Sequence, residues 1–354
     1  MPVQYFLGSN TPEGFFSLFD HLLPVEGART LYILKGGPGC GKSTLMRRLS
    51  RRAQERGEPV EEILCSGDPD SLDAVIFPQR GVALVDGTAP HVVEPRCPGA
   101  VDRYVDLGVC YDYAALSPLK EEILNRKAEC AACCTRATRF LKAAAELKTD
   151  SRALLLTPAV QERLMKRARG IVNREFPKRH SAPVAVTHRF LDTVTCKGEV
   201  RLCGTARTLC PRVYALSDSW GLAHGLLVPL LAGAAAGGYA VVACHDSLFP
   251  ERLAHLLVPE AGVAFLTLPG DVQEKPYRHL RLDAMAAEAL PRSGRPRLRF
   301  SRKMAAALEE EAVEALAGFK AAHDELEELY RPHSDFKKAD AVAEEMEREI
   351  FGEG

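Results

Sequence analysis

The sequence predicts an α/β fold built as a tandem duplication, each half a mostly parallel sheet flanked by helices with a helical extension. Three observations predict it. Short apolar stretches alternate with segments of helical periodicity. Blocks of the first half recur in order in the second. A glycine-rich run, Gly36-Gly-Pro-Gly-Cys-Gly41-Lys42-Ser43-Thr44, lies between an apolar stretch and a helical one.

The repeat shows in three places. Phe6–Gly14 resembles Phe190–Gly198 at an offset of 184, and Tyr32-Ile-Leu matches Tyr214-Ala-Leu at 182. Cys65–Asp86 aligns with Asp246–Thr267 at 181, where Pro69, Pro78 and Gly81 recur as Pro250, Pro259 and Gly262. Each half then reads alike. A short strand (Gln4–Leu7; His188–Leu191) precedes a Thr-x-x-Gly turn. A buried strand follows (Thr30–Leu34; Arg212–Leu216), then a loop and a helix. Further strands are expected near Val60–Leu64 and Val82–Val85, and near Ala240–Cys244 and Val263–Leu266, in a parallel sheet covered on both faces.

Beyond the third strand each half turns helical. Ser117 is the expected N-cap of a helix with Pro118 at its first position, and Thr157-Pro158 starts another. In the second half Ser301 opens a helix that Pro332 ends, and a last helix runs near Phe336–Phe351. The division into lobes, 1–180 and 181–354, falls in the stretch Pro177–Pro183.

Composition limits the function classes. The net charge of -1 gives no global pull towards nucleic acid or an anionic membrane, and no clear nucleic-acid signature stands out. No run of eighteen apolar residues exists, and Leu222–Cys244 reads as core helix plus strand, so no membrane association is expected. Met1–Leu7 has no basic segment leading into an apolar one, so no secretory leader is expected. The 11 cysteines fit free thiols in a reducing cytoplasm. Cys130, Cys133 and Cys134 read as small buried helix residues, with a metal site as the alternative. Cys203 and Cys210 read as strand and turn residues.

The run Gly36–Thr44 fits G-x-x-x-x-G-K-S/T, the P-loop. Glycines let backbone N–H groups turn inward around an anion. The helix N-terminus behind the loop adds unpaired N–H groups and a favourable dipole. The expected cradle is Gly36, Gly37, Pro38, Gly39, Cys40, Gly41, Lys42, Ser43 and Thr44, with Lys42 beside the β- and γ-phosphates and Ser43 on magnesium. Gly81–Asp86 is an apolar strand ending in a carboxylate, so Asp86 is the second expected magnesium ligand. Lys42 and Asp86 are thus the candidate catalytic residues. Gly87 stands where many ATPases carry a catalytic Glu, which leaves the base unidentified. Thr88 and His91 could orient water or substrate, or simply order the loop. No guanine-recognition signature is present, which favours ATP.

The second half lacks this chemistry. Ser217–Gly225 aligns with the loop, His224 is read at the place of Lys42 and Gly225 at that of Ser43, and Asp218 puts a carboxylate near any phosphate. Thr267 stands where Asp86 stands. One competent site per chain is expected.

The tandem halves, the Gly36–Thr44 run, DGTAPHVVEPRCPGAVDRYVDLG (Asp86–Gly108) and HRFLDTVTCKG (His188–Gly198) resemble a little-characterised bacterial family of tandem P-loop ATPases, nucleotide-kinase-like ATP-binding proteins. The resemblance spans nearly the whole chain. It implies P-loop NTPase lobes and cytoplasmic ATP binding, with the second P-loop degenerate here. The expected function is a magnesium-dependent ATPase with an unknown protein partner or acceptor. One alternative is a nucleoside- or nucleotide-kinase-like phosphotransferase, with Arg136, Arg139, Arg163, Arg167 and Arg169 as a lid. The other is a nucleotide-gated binding module with little turnover.

Overall fold

A computed structural model describes residues 2–23, 27–179, 185–268, 276–290 and 292–352. In the first half, β1 (Val3–Tyr5) leads into a hairpin, β2 (Gly8–Thr11) and β3 (Gly14–Ser17). The Thr11 hydroxyl donates to the Gly14 carbonyl and accepts from the Glu13 amide, which closes the Thr-x-x-Gly turn. Next come β4 (Thr30–Lys35), α1 (Lys42–Glu55), β5 (Glu61–Leu64), β6 (Leu72–Phe77), β7 (Val82–Asp86) and β8 (Asp102–Asp106). The half ends in α2 (Tyr113–Leu116), α3 (Lys120–Leu155) and α4 (Pro158–Glu175).

The second half repeats the plan. Strands β9 (Val186–Arg189), β10 (Asp192–Thr195) and β11 (Gly198–Arg201) are followed by an added helix, α5 (Cys203–Leu209). Then come β12 (Arg212–Ser217), α6 (Ala223–Ala236), β13 (Val241–His245), β14 (Leu253–Val258), β15 (Val263–Thr267) and β16 (Arg278–Arg281). Helices α7 (Leu282–Ala289), α8 (Arg295–Tyr330) and α9 (Phe336–Phe351) complete it. The first sheet has the order β1-β5-β6-β7-β4-β8, and the second has β9-β13-β14-β15-β12-β16. Corresponding strands occupy corresponding places. The turn Pro78–Arg80, closed by left-handed Gly81 (φ 63°), recurs as Pro259–Ala261 with Gly262 (φ 64°).

Four expectations need correction. The sheets are mixed rather than parallel, because β6 and β14 run antiparallel to both neighbours. Connections of seven residues before each of these strands and four after it are too short to hold the helix of a parallel crossover. Strands β8 and β16, four or five residues long with mostly exposed side chains, lack the apolar run that marks a buried strand. Ser117 caps nothing. It opens a short 3-10 turn, and the helical start is capped upstream by Asp112, whose carboxylate accepts from the Ala115 amide. Ser301 lies buried inside α8, which begins at Arg295. The Thr157 cap is present, accepting from the Val160 amide.

Helices cross between the halves. Helix α9 packs on α1, where Glu347 pairs with Arg48 and Arg52 and Phe351 sits edge-on to Phe77. Reciprocally, α4 packs on α6, and a Cβ on Gly233 would lie 2.5 Å from Val172. Each half's last helix therefore covers the other half's sheet. The 36-residue helices α3 and α8 lie side by side, about 54 Å long at 1.5 Å per residue. The ion pairs Arg126–Glu325, Arg136–Glu311 and Arg297–Asp150 show that they run antiparallel. Small buried residues on α3 (Cys130, Ala137, Ala144) face this packing, and a Cβ on Gly318 would lie 3.3 Å from the Cys133 sulfur. The amide and carbonyl of Phe6 pair with those of Phe190, joining the halves where their first strands end. Among the described residues no helix is long and apolar enough to cross a membrane.

Candidate functional site

The loop between β4 and α1 sits at the C-terminal end of the first sheet, the usual ligand edge of an open α/β sheet. Gly39 (φ 72°) and Gly41 (φ 87°) adopt the left-handed conformation that side chains disfavour. Gly36 and Gly37 are required for space instead. A Cβ would lie 2.7 Å from the Cys40 sulfur in one case and 2.8 Å from the Tyr111 hydroxyl in the other. That hydroxyl donates to the Pro38 carbonyl at 3.0 Å and pins the loop. The first amides of α1 have no partner four residues back, so the loop presents free N–H groups at its mouth.

Lys42, Ser43 and Asp86 come together there. Lys42 Nζ donates to the carbonyls of Gly36 (2.7 Å) and Gly37 (2.9 Å) and lies 3.5 Å from Asp86 Oδ2. Asp86 Oδ1 accepts from the Thr88 amide and hydroxyl, which fixes the carboxylate with its second oxygen facing Lys42. Ser43 Oγ accepts from the Leu72 amide at 3.0 Å, so its position is set by β6. Ser43 and Asp86 are the residues that could hold a divalent cation on this wall.

A second carboxylate lies beside Asp86. Asp73 is on β6, and the pairing of Ala74 with Val85 places it next to the end of β7. It is buried, and Oδ2 has no hydrogen-bond partner. Burial pushes its carboxyl above the ordinary range, and the Asp86 charge adds to this while His91 opposes it. His91 Nε2 is 3.8 Å from Asp73 Oδ1. The His91 ring is buried and stacked on Phe19, with centroids 4.9 Å apart, and neither ring nitrogen has a hydrogen-bond partner. Unpartnered buried polar atoms are rare in folded proteins, because each costs about 1–3 kcal/mol. Three of them in one cavity wall suit a ligand or water.

No family model, curated protein or solved structure matches the chain. The geometry alone therefore carries the reading of this site.

The cavity over the loop has a volume of about 790 Å³. Its far wall comes from the second half: Phe319, Lys320, His323, Asp324 and Glu327 of α8, with Arg331 just beyond. The Glu327 backbone approaches to 3.4 Å of where a Gly39 Cβ would be. His323, Asp324 and Glu327 form the one His/carboxylate group, among the described residues, close enough to share a metal ion. Lys127 and Lys320 supply the basic side chains, and Lys320 is held by Asp324 and Asp68.

Sequence reasoning named the loop, Lys42, Ser43, Asp86, Thr88 and His91, and all line this cavity. It missed Asp73, although a lone carboxylate in the apolar run Leu72–Phe77 was a readable signal. It also missed the α8 wall, for which no local signal exists. The arginine lid is not assembled. Arg136 and Arg139 lie outside the cavity on α3, and Arg163 and Arg167 line a groove on the second half. Cys130, Cys133 and Cys134 belong to no metal-like group among the described residues, and Cys203 opens α5 rather than lying in a strand.

The second loop differs in register from the sequence alignment. Six residues (36–41) join β4 to α1, and five (218–222) join β12 to α6. His224 Nδ1 accepts from the Leu253 amide at 3.0 Å, as Ser43 accepts from Leu72. His224 therefore takes the place of Ser43, not of Lys42, and one loop residue is gone. The Asp218 carboxylate folds into its own loop and accepts from the amides of Trp220 (3.0 Å) and Ala223 (2.6 Å). Asp283 accepts from the Ser219 amide and hydroxyl. The expected repulsion of phosphate is thus preceded by occupation, because the loop's donors already hold carboxylates.

Proposed function

We propose that the chain binds ATP with magnesium at the Gly36–Thr44 loop of its first half and hydrolyses it there. The observation that carries this reading is the meeting of Lys42 and Asp86, 3.5 Å apart, at the mouth of a glycine loop opening onto a helix N-terminus. In this reading Lys42 leaves the Gly36 and Gly37 carbonyls to meet the β- and γ-phosphates. The loop amides hold the phosphate oxygens. Ser43 and Asp86 would hold magnesium.

Asp73 fills the place left open for a base. It lies beside Asp86 with an unpartnered oxygen, and burial raises its proton affinity, as a group that accepts a proton from water requires. His91 orients the same water or the leaving phosphate. Lys320 and Lys127 approach from the opposite wall and would offset charge spreading over the transferred group. The chain is read as cytoplasmic, with a protein partner or acceptor still to be identified. Hydrolysis is preferred to phosphotransfer because the arginines assigned to a kinase lid lie away from the cavity.

Incubation with ATP and magnesium, alone and with a panel of nucleosides and nucleotides, tests this. Phosphate release without acceptor, and one nucleotide per chain by calorimetry, are expected. A phosphorylated acceptor would replace hydrolysis by phosphotransfer, and absence of ATP binding would overturn the assignment.

A further inference from the structure

We propose that a basic groove on the second half binds the sugar-phosphate backbone of single-stranded nucleic acid. The groove has a volume of about 810 Å³ and lies between α4 on one side and β16 with α7 on the other. Arg163, Lys166, Arg167 and Arg174 project from α4, and Arg278 and Arg281 from the edge strand β16. Among the described residues the one acidic side chain lining it is Glu288, which pairs with Arg163 at 3.4 Å across the rim. Arg174 is engaged by Glu175 and the Tyr214 hydroxyl. Lys166, Arg167, Arg278 and Arg281 have no carboxylate within ion-pair distance among the described residues. These four cations, uncompensated among the described residues, lie on two facing elements and form an electrostatic site rather than a solvated helix face.

The surroundings extend the charge. Residues 158–179, which include α4, hold seven basic side chains against two acidic ones. The overall charge of -1 hides this, because acidic residues concentrate elsewhere. Screening over about 8 Å at physiological ionic strength decouples those acids from the groove.

Three observations select the occupant. The free cations are exposed and strung along two elements rather than converging on a buried point, which suits a chain of phosphates better than one phosphate group. The apolar residues Leu164, Ile171 and Leu280 lie at the buried floor, out of reach of a bilayer. Aromatic surface adjoins the cations. Tyr277 is 45% exposed and carries the Arg278 guanidinium 5.5 Å from its ring centre. Rings and guanidinium planes interleaved with a basic track are the surfaces on which unpaired bases stack.

The test uses the full chain without nucleotide, so that its outcome is independent of ATP binding. Fluorescence anisotropy follows end-labelled single strands of uridylate and of thymidylate, about 20 nucleotides long, with a duplex, phosphatidylglycerol vesicles and inorganic polyphosphate as comparisons. If the four free cations engage, the logarithmic salt slope should be about −2.8, a loss of about fiftyfold between 50 and 200 mM salt. The pair Arg167→Gln and Arg278→Gln should remove about half of that slope and weaken single-strand binding at least tenfold. The pair Arg136→Gln and Arg139→Gln on α3 should leave binding unchanged. Circular dichroism and the melting temperature establish that each variant folds. No single-strand binding at 50 mM salt would overturn the proposal. So would equal binding by the groove variants, a preference for vesicles or polyphosphate, or a groove-dependent dimer by light scattering.

Discussion

The two strand–loop–helix units share one plan but leave their loop donors in opposite states. In the first, six loop residues leave the backbone donors open, and Lys42 rests on the Gly36 and Gly37 carbonyls. In the second, five residues close on the Asp218 carboxylate, and Asp283 takes the donors of Ser219. Ala254 and Thr267 stand where Asp73 and Asp86 stand in the first half, so the neighbouring strands have also lost their carboxylates. The strands, the bulge before the reversal and the left-handed Gly262 turn are retained. The same backbone plan thus carries two different loops, because strand pairing and apolar packing are separable from loop chemistry.

The largest effect expected from breaking this contrast is at Lys42. Lys42→Ala should lower ATP turnover about a hundredfold to a thousandfold, the range for a preorganised charge at a transition state. His224→Ala should leave turnover within about twofold. Steady-state phosphate release measures both, and equal losses would dissolve the distinction between the halves.

Asp73 sharpens it next. Asp73→Asn should reduce turnover about a hundredfold with nucleotide binding retained. The raised proton affinity of Asp73 carries a pH signature. As a base it must be ionised, so activity should fall as pH drops towards its elevated folded value, earlier than for an ordinary carboxyl. The Asn variant should lose that limb in a pH profile of kcat/KM. An unchanged limb would assign Asp73 to structure.

The self-occupied loop makes a prediction about stability. Asp218→Ala should leave ATP turnover unchanged and destabilise the chain by about 1–3 kcal/mol, because the Trp220 and Ala223 amides lose their acceptor. Sulfate should restore part of the loss in the variant and little in the native chain, read by urea denaturation. Destabilisation without sulfate rescue would mean that the loop no longer forms an anion cradle.

The smallest effect separates the sheets at their outer strands. His188 and His245 share a hydrogen bond of 2.8 Å, where the first half has Gln4 and Leu64. Burial, with the neighbouring His245, lowers the His188 pKa to about 4. An unfolded histidine titrates near 6.5, so between those values the unfolded chain binds more protons. Stability should therefore rise with pH from about 4 to about 6.5 and be lost as pH falls through that window. His188→Gln should flatten the slope in urea midpoints measured at pH 5 and 7.5. The same slope in the variant would assign it to other groups.

Much of this was readable in one dimension. The strands at Thr30–Leu34 and Val82–Val85 are short apolar runs whose burial decides their conformation locally. The helix at Thr157-Pro158 announces itself by its cap, and the Gly36–Thr44 motif by residues adjacent in the chain. Strand β8 was not readable, because its exposed side chains carry no apolar period and its place comes from pairing with β4. The one-residue register error in the second loop has a similar cause. Identity of letters could not locate the deletion, whereas the His224–Leu253 hydrogen bond does.

The sequence by itself determined the duplicated α/β plan, the position of the glycine loop and the absence of its Lys-Ser pair from the second half. Each rests on neighbours in the chain: the period of apolar residues, the backbone freedom of glycine, and the charge of Lys42 or Asp218. Only the tertiary structure decided which strands run antiparallel, that each half's last helix covers the other half's sheet, and that α8 walls a cavity some 280 residues earlier in the chain. It also decided that Asp73 meets Asp86 and that Arg163 and Arg167 face Arg278 across a groove. Those are contacts between distant segments, set by how apolar faces and small residues such as Gly233 and Gly318 pack together. No local pattern specifies them, because the same amphipathic helix would satisfy its own residues equally well against either sheet.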